Sequence, residues 1–320
     1  MNNPWNSIPS PKANLNVLRV DETSSVDAFW AVGPEGEYLF LAEGLKVETG
    51  VEMPAFDAIR ITVGAERGGS GKCRLLLRLL DADEWELFFA LCTDLVRALA
   101  ASGPEMGLSA VAARLAQWVA FLRSGRERVL SREAIRGLFG ELTLLETRLA
   151  PVFGWAAAVE GWGGPLGMPQ DFAVGGMTIE TKAKLANARR EVQISSEDQL
   201  VSKAGELFLH VLTLTVAGGE DEEGLSLSER VGRVRAAVAG DRRTADSLED
   251  RLLAAGYAES SAYERERFQV AGEETYRVVE GFPRIVPQGL PHGVRRVSYG
   301  LDLAACEPFR VTDAGWSGKG

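Results

Sequence analysis

The sequence predicts an α/β protein with a β-rich N-terminal module. Short alternating apolar runs fill the first eighty residues. Helical spacing takes over from about residue 81, and beyond residue 150 strands and helices alternate. The expected organisation is a β-rich module over 1–80, a helical connector over 81–130, an α/β core with C-terminal additions over 131–310, and a disordered tail over 311–320.

In the first module "AFWAVGP", "EYLFLAEGL", "AIRITVGAE" and "CRLLLRLLD" read as strands, punctuated by "GPEGE" and "ERGGSGK". The latter lacks phosphate-loop spacing and reads as a hairpin tip. The opening "MNNPWNSIPSPKANLNV" has neither the basic start nor the apolar stretch of a signal peptide and suggests an irregular arm. Three helices follow. "DEWELFFALCTDLVRALAAS" is capped by Asp81 or Asp83, "GLSAVAARLAQWVAFLRSG" by Ser109, and "SREAIRGLFGELTLLETRLA" by Ser131. Leu138, Leu142 and Leu145 make one apolar stripe on the third, with Glu141 beside it.

A Gly/Trp-rich loop, "VEGWGGPLGMPQ", leads to "DFAVGGMTIETKAK". Gly175-Gly176 suits a tight turn that folds the strand after Asp171 back along the next one. "EVQIS" reads as a strand, "SEDQLVSKAG" as a short helix capped by Ser195 or Ser196, and "ELFLHVLTLTV" as a central strand. "AGGEDEEG" is an exposed turn, two helices follow at "SLSERVGRVRAAVAG" and "TADSLEDRLLAAGY", and the chain returns to strand at "ERFQVAGEETYRVVEGFPRI" and "VRRVSYGLDLAAC".

Composition narrows the chemistry. Three cysteines without CxxC spacing argue against a disulfide framework or zinc site and fit a reducing, cytoplasmic setting. Two histidines leave catalysis to carboxylates, lysine and hydroxyls. A net charge of −10 argues against non-specific coating of nucleic acid, though not against a local basic cleft. No apolar run is long enough to span a membrane.

Residues two apart on a strand share a face, so Glu180 and Lys182 point the same way, and the hairpin returns Asp171 beside them. Two close carboxylates resist joint ionisation unless a cation lies between them. Mg²⁺, hard and oxygen-seeking, suits such a pair, with the Thr181 carbonyl as a further ligand. Lys182 would then orient water for in-line attack on a phosphodiester. The alternative is a surface hairpin with a cross-strand ion pair. Lys184, Arg189 and Arg190 would contact phosphate or simply be solvated. Gln193 and Ser195 would reach the same face, touching phosphate or water, or serve as ordinary strand polarity, and Gln199 would act there from the short second helix or have no such role. The basic "RSGRERVLSREAIR" would line a nucleic-acid cleft or stay solvated. Trp155 and Trp162 would pack under the hairpin or stack on bases.

The run "GLFGELTLLE", followed by Asp171 and then Glu180-Thr181-Lys182, resembles the PD-(D/E)XK nuclease superfamily, and within it a bacterial group found near restriction and phage-defence genes. The literal "PD" is interrupted by Gln170. The resemblance implies a restriction-endonuclease-like core, a mixed central sheet flanked by helices. Helix 131–150, the sheet around 157–185, the helix near 196–203 and strand 206–216 would build it. It implies that Glu141 assists as an outer or second-metal ligand. It also implies Mg²⁺-dependent DNA cleavage, with Mn²⁺ as a substitute, among defence partners such as a methyltransferase or ATPase, and a homodimer where both strands are cut. A catalytically silent DNA-binding or scaffold subunit, or a nuclease acting on RNA, is the rival reading.

Overall fold

The computed structural model describes residues 2–20, 26–66, 71–102, 107–123, 129–201, 205–217 and 224–312. The chain forms two compact units, one of residues 1–129 with 256–261, the other of 130–255 with 262–320.

The first unit carries an antiparallel sheet in the order β1-β2-β3-β5-β4. Its strands are β1 (Asn16–Arg19), β2 (Asp27–Val32), β3 (Tyr38–Lys46), β4 (Ile59–Ala65) and β5 (Lys72–Leu79). Helices α1 (Trp85–Ser102) and α2 (Leu108–Arg123) follow. Asp81 caps the turn that leads into α1 by accepting the Asp83 N–H at 3.1 Å.

One local expectation is corrected in this unit and another is extended. The N-terminal arm has little regular structure up to β1, as expected, but it is anchored. Trp5 is 1% exposed, donates its indole N–H to the Leu39 carbonyl at 2.8 Å, and stacks on Tyr38 and Phe88. Ser109 does not cap α2, because its own N–H donates to Glu48 at 2.7 Å. A carboxylate distant in sequence supplies the cap. The tip of the "ERGGSGK" hairpin, most of "RSGRERV" and "AGGEDEEG", and the tail from residue 313 lie outside the described residues.

The second unit is a restriction-endonuclease-like core, with a mixed sheet in the order β10-β11-β9-β7-β6. The strands are β6 (Phe172–Val174), β7 (Met177–Leu185), β9 (Glu206–Val216), β10 (Leu225–Ser226) and β11 (Arg267–Arg277). β7 runs parallel to β9, and β9 antiparallel to β11, so β9 is central, as its apolar run predicts. β13 (Arg310–Val311) adds to β11, and β8 (Glu191–Ile194) pairs with β12 (Tyr299–Asp302) as a separate ribbon. Flanking helices are α3 (Arg132–Leu144), which runs through a π-helical turn at Leu145–Leu149 into α4 (Ala150–Phe153), then α5 (Trp155–Glu160), α6 (Leu227–Val238) and α7 (Arg242–Ala254). Ser131 caps α3 by accepting the Ala134 N–H at 3.2 Å, and the stripe Leu138, Leu142, Leu145 is fully buried.

Residues 157–171 are not sheet. α5 and a Gly-rich turn fill them, and the hairpin begins only at Phe172. Nor do 195–201 form a helix; they make a turn over 197–200. A helix would need the carbonyls of Asp198, Gln199 and Val201 along its own axis. The Gln170 amide takes all three, at 2.9, 3.1 and 3.1 Å.

β7 separates two environments. Its odd face meets α3, where a Cβ built on Gly140 would stand 3.0 Å from that of Ala183 and 3.7 Å from Leu212. Its even face, with Glu180 and Lys182, lies beside Leu209 and Val211, in the cluster that includes Val192, Ile194, Leu200 and Leu301. The absence of a side chain at Gly140 thus sets how close α3 approaches the strand carrying the acidic residues. Gly140→Leu is expected to destabilise the chain by roughly 1–3 kcal/mol, or more if α3 is levered off, read as a lower urea midpoint.

Candidate active site

The hairpin that delivers the site is specified locally. Gly175 (φ 59°) and Gly176 (φ 80°) both take the left-handed region, as a two-residue turn joining right-twisted strands requires. Phe172 is thereby paired with Ile179 and Val174 with Met177, which brings the Asp171 carboxylate alongside Thr181. Asp171 Oδ2 accepts the Thr181 N–H at 2.7 Å. Its own carbonyl takes the N–H groups of Gly163 and Gly164 at 2.8 and 3.0 Å, fixing the loop against the strand.

Glu180 is 1% exposed. Its Oε1 meets Lys182 Nζ at 2.8 Å, while Oε2 has no hydrogen-bond partner among the described residues. Lys182 Nζ also donates to Gln199 Oε1 at 3.3 Å, and the same oxygen takes the Ser195 N–H at 2.7 Å. Glu141, on α3, accepts the Trp162 indole N–H on Oε2 at 2.7 Å. The hydroxyl of Thr181 is buried without a partner among the described residues.

Electrostatics tie these groups together. Burial pushes the Glu141 carboxyl up to about 8, with the Asp171 charge adding to it and Trp162 and Lys182 opposing. Burial likewise raises Asp171 to about 6, against the Thr181 N–H and Lys182. Glu180 is held well above the usual carboxylate range by burial and by Asp171, with Lys182 pulling the other way. Among the described residues, no three His, Cys, Asp or Glu side chains already stand close enough together to hold a metal ion. The donors nevertheless suit a hard cation, since they are oxygens, they lie within range of one another's charge, and one buried carboxylate oxygen is unused among the described residues. Mg²⁺ needs only one or two carboxylates beside water and substrate oxygens.

The other expected residues divide. Gln199 and the Ser195 backbone join the site through Lys182. Gln193 is tied to Ser298 Oγ at 2.7 Å, and Lys184 donates to the adjacent Leu185 carbonyl at 3.3 Å. Arg190 pairs with Glu274 at 2.9 Å and with Glu307, so it is committed to carboxylates rather than held ready for phosphate. Arg189 is exposed beyond the end of β7, and Trp155 is half-buried on α5.

Two residues act in ways the sequence did not assign to them. Trp162, expected to pack under the hairpin or stack on bases, is 0% exposed, stacks on Phe172 of the hairpin, and in addition holds Glu141. Its carbonyl and that of Glu160 are gripped by the Arg251 guanidinium, both at 2.9 Å. A buried indole needs an acceptor, and that rule was the available signal. Gln170, which interrupts the "PD", shapes the turn that presents Gln199.

The raised carboxyls fix a pH dependence. A carboxyl whose folded pKa is raised stabilises the fold at low pH and loses that contribution as pH climbs through the folded value. His210 acts oppositely. Burial and the nearby Arg148 charge lower it to about 3, and its effect is complete once pH exceeds the unfolded value near 6.5. Between about pH 6.5 and about pH 8.5 the carboxyls therefore dominate, and the metal-free melting temperature should fall. Glu141→Gln should flatten that fall, and Mn²⁺ binding should tighten across the same interval as protons leave.

No match to the chain is found among curated proteins or among solved structures. A family model does match it, over residues 1–304. The chain belongs to the family DUF4420, described as "Putative PD-(D/E)XK family member".

Proposed function

We propose that the chain is a divalent-metal-dependent nuclease that hydrolyses DNA phosphodiester bonds. One observation carries the reading. Glu180 is buried against Lys182 with its second oxygen unpartnered among the described residues, within range of the charges of Asp171 and Glu141. A structural ion pair has no need of two further carboxyls that raise its acid's pKa.

Asp171 and Glu180 would hold Mg²⁺ or Mn²⁺, with Glu141 and the Thr181 carbonyl beside them. The ion, once bound, supplies polarisation of a phosphoryl oxygen and a lowered pKa for water. Oε2 of Glu180 is available for this while Oε1 keeps Lys182. Lys182 then serves as a fixed ammonium, aimed by Glu180 and Gln199, that orients the attacking water and stabilises the charge growing on the phosphoryl oxygens. Trp162 keeps Glu141 in place. The restriction or phage-defence setting, partner proteins such as a methyltransferase or ATPase, and a homodimer for cutting both strands rest on the resemblance of the motif alone.

Supercoiled plasmid offered with Mg²⁺, Mn²⁺ or EDTA tests the reading. Wild type should nick it only with metal, and Lys182→Ala should lower the rate by roughly 10²–10³-fold. Failure of wild type to cleave DNA or RNA, together with no calorimetric Mn²⁺ binding, would reject it. Metal binding without cleavage of either would instead favour the silent scaffold.

A further inference from the structure

Between Glu280 and Asp302 the chain carries three arginines, one histidine and no acid, in a protein whose acidic residues outnumber its basic ones 45 to 35. This segment, joining β11 to β12, is fastened to the turn that presents Gln199. The Glu197 carboxylate, 8% exposed, accepts the N–H groups of Arg296 at 3.1 Å and Val297 at 2.8 Å. Arg284 donates to the Leu200 carbonyl, and Ser298 Oγ donates to the Ile194 carbonyl at 3.1 Å while accepting from Gln193. Arg296 is one of two non-glycine residues with positive φ (59°) among those described, a conformation that persists only where the surroundings impose it.

The side chains of Arg295 and Arg296 are exposed, and neither forms an ion pair among the described residues. Some exposed arginines elsewhere in the unit are also without an ion pair among the described residues, namely Arg132, Arg189, Arg233, Arg243 and Arg265, whereas others are neutralised. Arg277 pairs with Glu206, and Arg190 and Arg310 share Glu274 and Glu307. A backbone pinned by a buried carboxylate and two guanidiniums left without carboxylates make a preorganised anion-binding edge. Its anchor, Glu197, stands two residues from Gln199, which holds Lys182.

We propose that Arg295 and Arg296 form a phosphate-contacting ledge on the Lys182 side of the carboxylate pocket, gripping the backbone of the nucleic-acid strand next to the bond cleaved. The ledge rests on the nuclease reading and adds to it where the substrate lies. It offsets the repulsion that three carboxyls impose on a polyanion, and it contacts phosphate, so it carries no base preference.

The test is binding of a short duplex DNA, and of an RNA of the same sequence, across a salt series with Ca²⁺ present, read by fluorescence anisotropy. Wild type, Arg295→Ala/Arg296→Ala and a control pair on α7, Arg242→Ala/Arg243→Ala, are compared. On the nucleic acid that wild type binds, the ledge variant should bind more weakly for every sequence. Its plot of log affinity against log salt should be shallower by about 2. Calorimetric Mn²⁺ binding and the control pair should match wild type. An unchanged slope and affinity in the ledge variant overturns the ledge alone. No salt-dependent binding of either nucleic acid by wild type overturns the ledge and the nuclease reading together.

Discussion

Glu180 lies in the interior with Lys182 against one oxygen and no hydrogen-bond partner for the other among the described residues, and the second unit is organised around that cost. An uncompensated buried carboxylate costs several kcal/mol, so such a group is tolerated only where its surroundings are rigid and a counter-charge is assured. Both conditions are met by β7. It is held on one side by β6 through a turn only glycines fit, and on the other by β9 in parallel pairing along its whole length. The counter-charge comes from the same strand, two residues on, so no tertiary movement separates acid from base. Gln199 then limits where Lys182 can point.

The opposite face of β7 is polar in a different way, and its polar groups are arranged around a neutral centre. His210, register partner of Thr181, exchanges a hydrogen bond with Thr275 at 2.9 Å and stands 4.0 Å from Glu273, which Arg148 grips at 2.8 Å. Arg148 lies in the π-helical turn that ends α3. That wider turn rotates the following residues relative to a continuous α-helix, a device often found near functional sites. Behind the strand, then, the charges are closed into pairs, whereas on the site face one acid is left with spare coordination. The asymmetry is one of charge, and on the proposed function it marks the face that would receive the metal.

What could be read from the sequence follows from the range of the interactions. The hairpin, its glycines, the shared face of Glu180 and Lys182, the Ser131 cap and the leucine stripe of α3 are all set by residues within about four positions of one another. The residues that support the site are not. Trp162 reaches Glu141 across 21 positions, Gln170 reaches the 198–201 turn across 28 to 31, and Glu197 reaches Arg296 across 99. Each was legible only as a polar group with an unknown partner. The absence of a helix over 195–201 has the same origin. Its propensity is local, but Gln170 claims backbone carbonyls that a helix would have used for itself.

The distribution of arginines carries the argument further than their number. At the far end of the sheet Glu274 and Glu307 serve Arg190 and Arg310 together. Arg295 and Arg296 are without acids among the described residues, and the backbone pinned by Glu197 sets them apart from the other unpaired arginines of the unit. A carboxylate within reach of those two would neutralise them and would add to the repulsion already present at Asp171, Glu180 and Glu141. Keeping the segment from Gly281 to Leu301 free of acids preserves a steep local change of sign beside the pocket. On the proposed function, a phosphate lying across that boundary would meet cations on one side and carboxyls that bind a metal on the other. Net charge alone, at −10, conceals this completely.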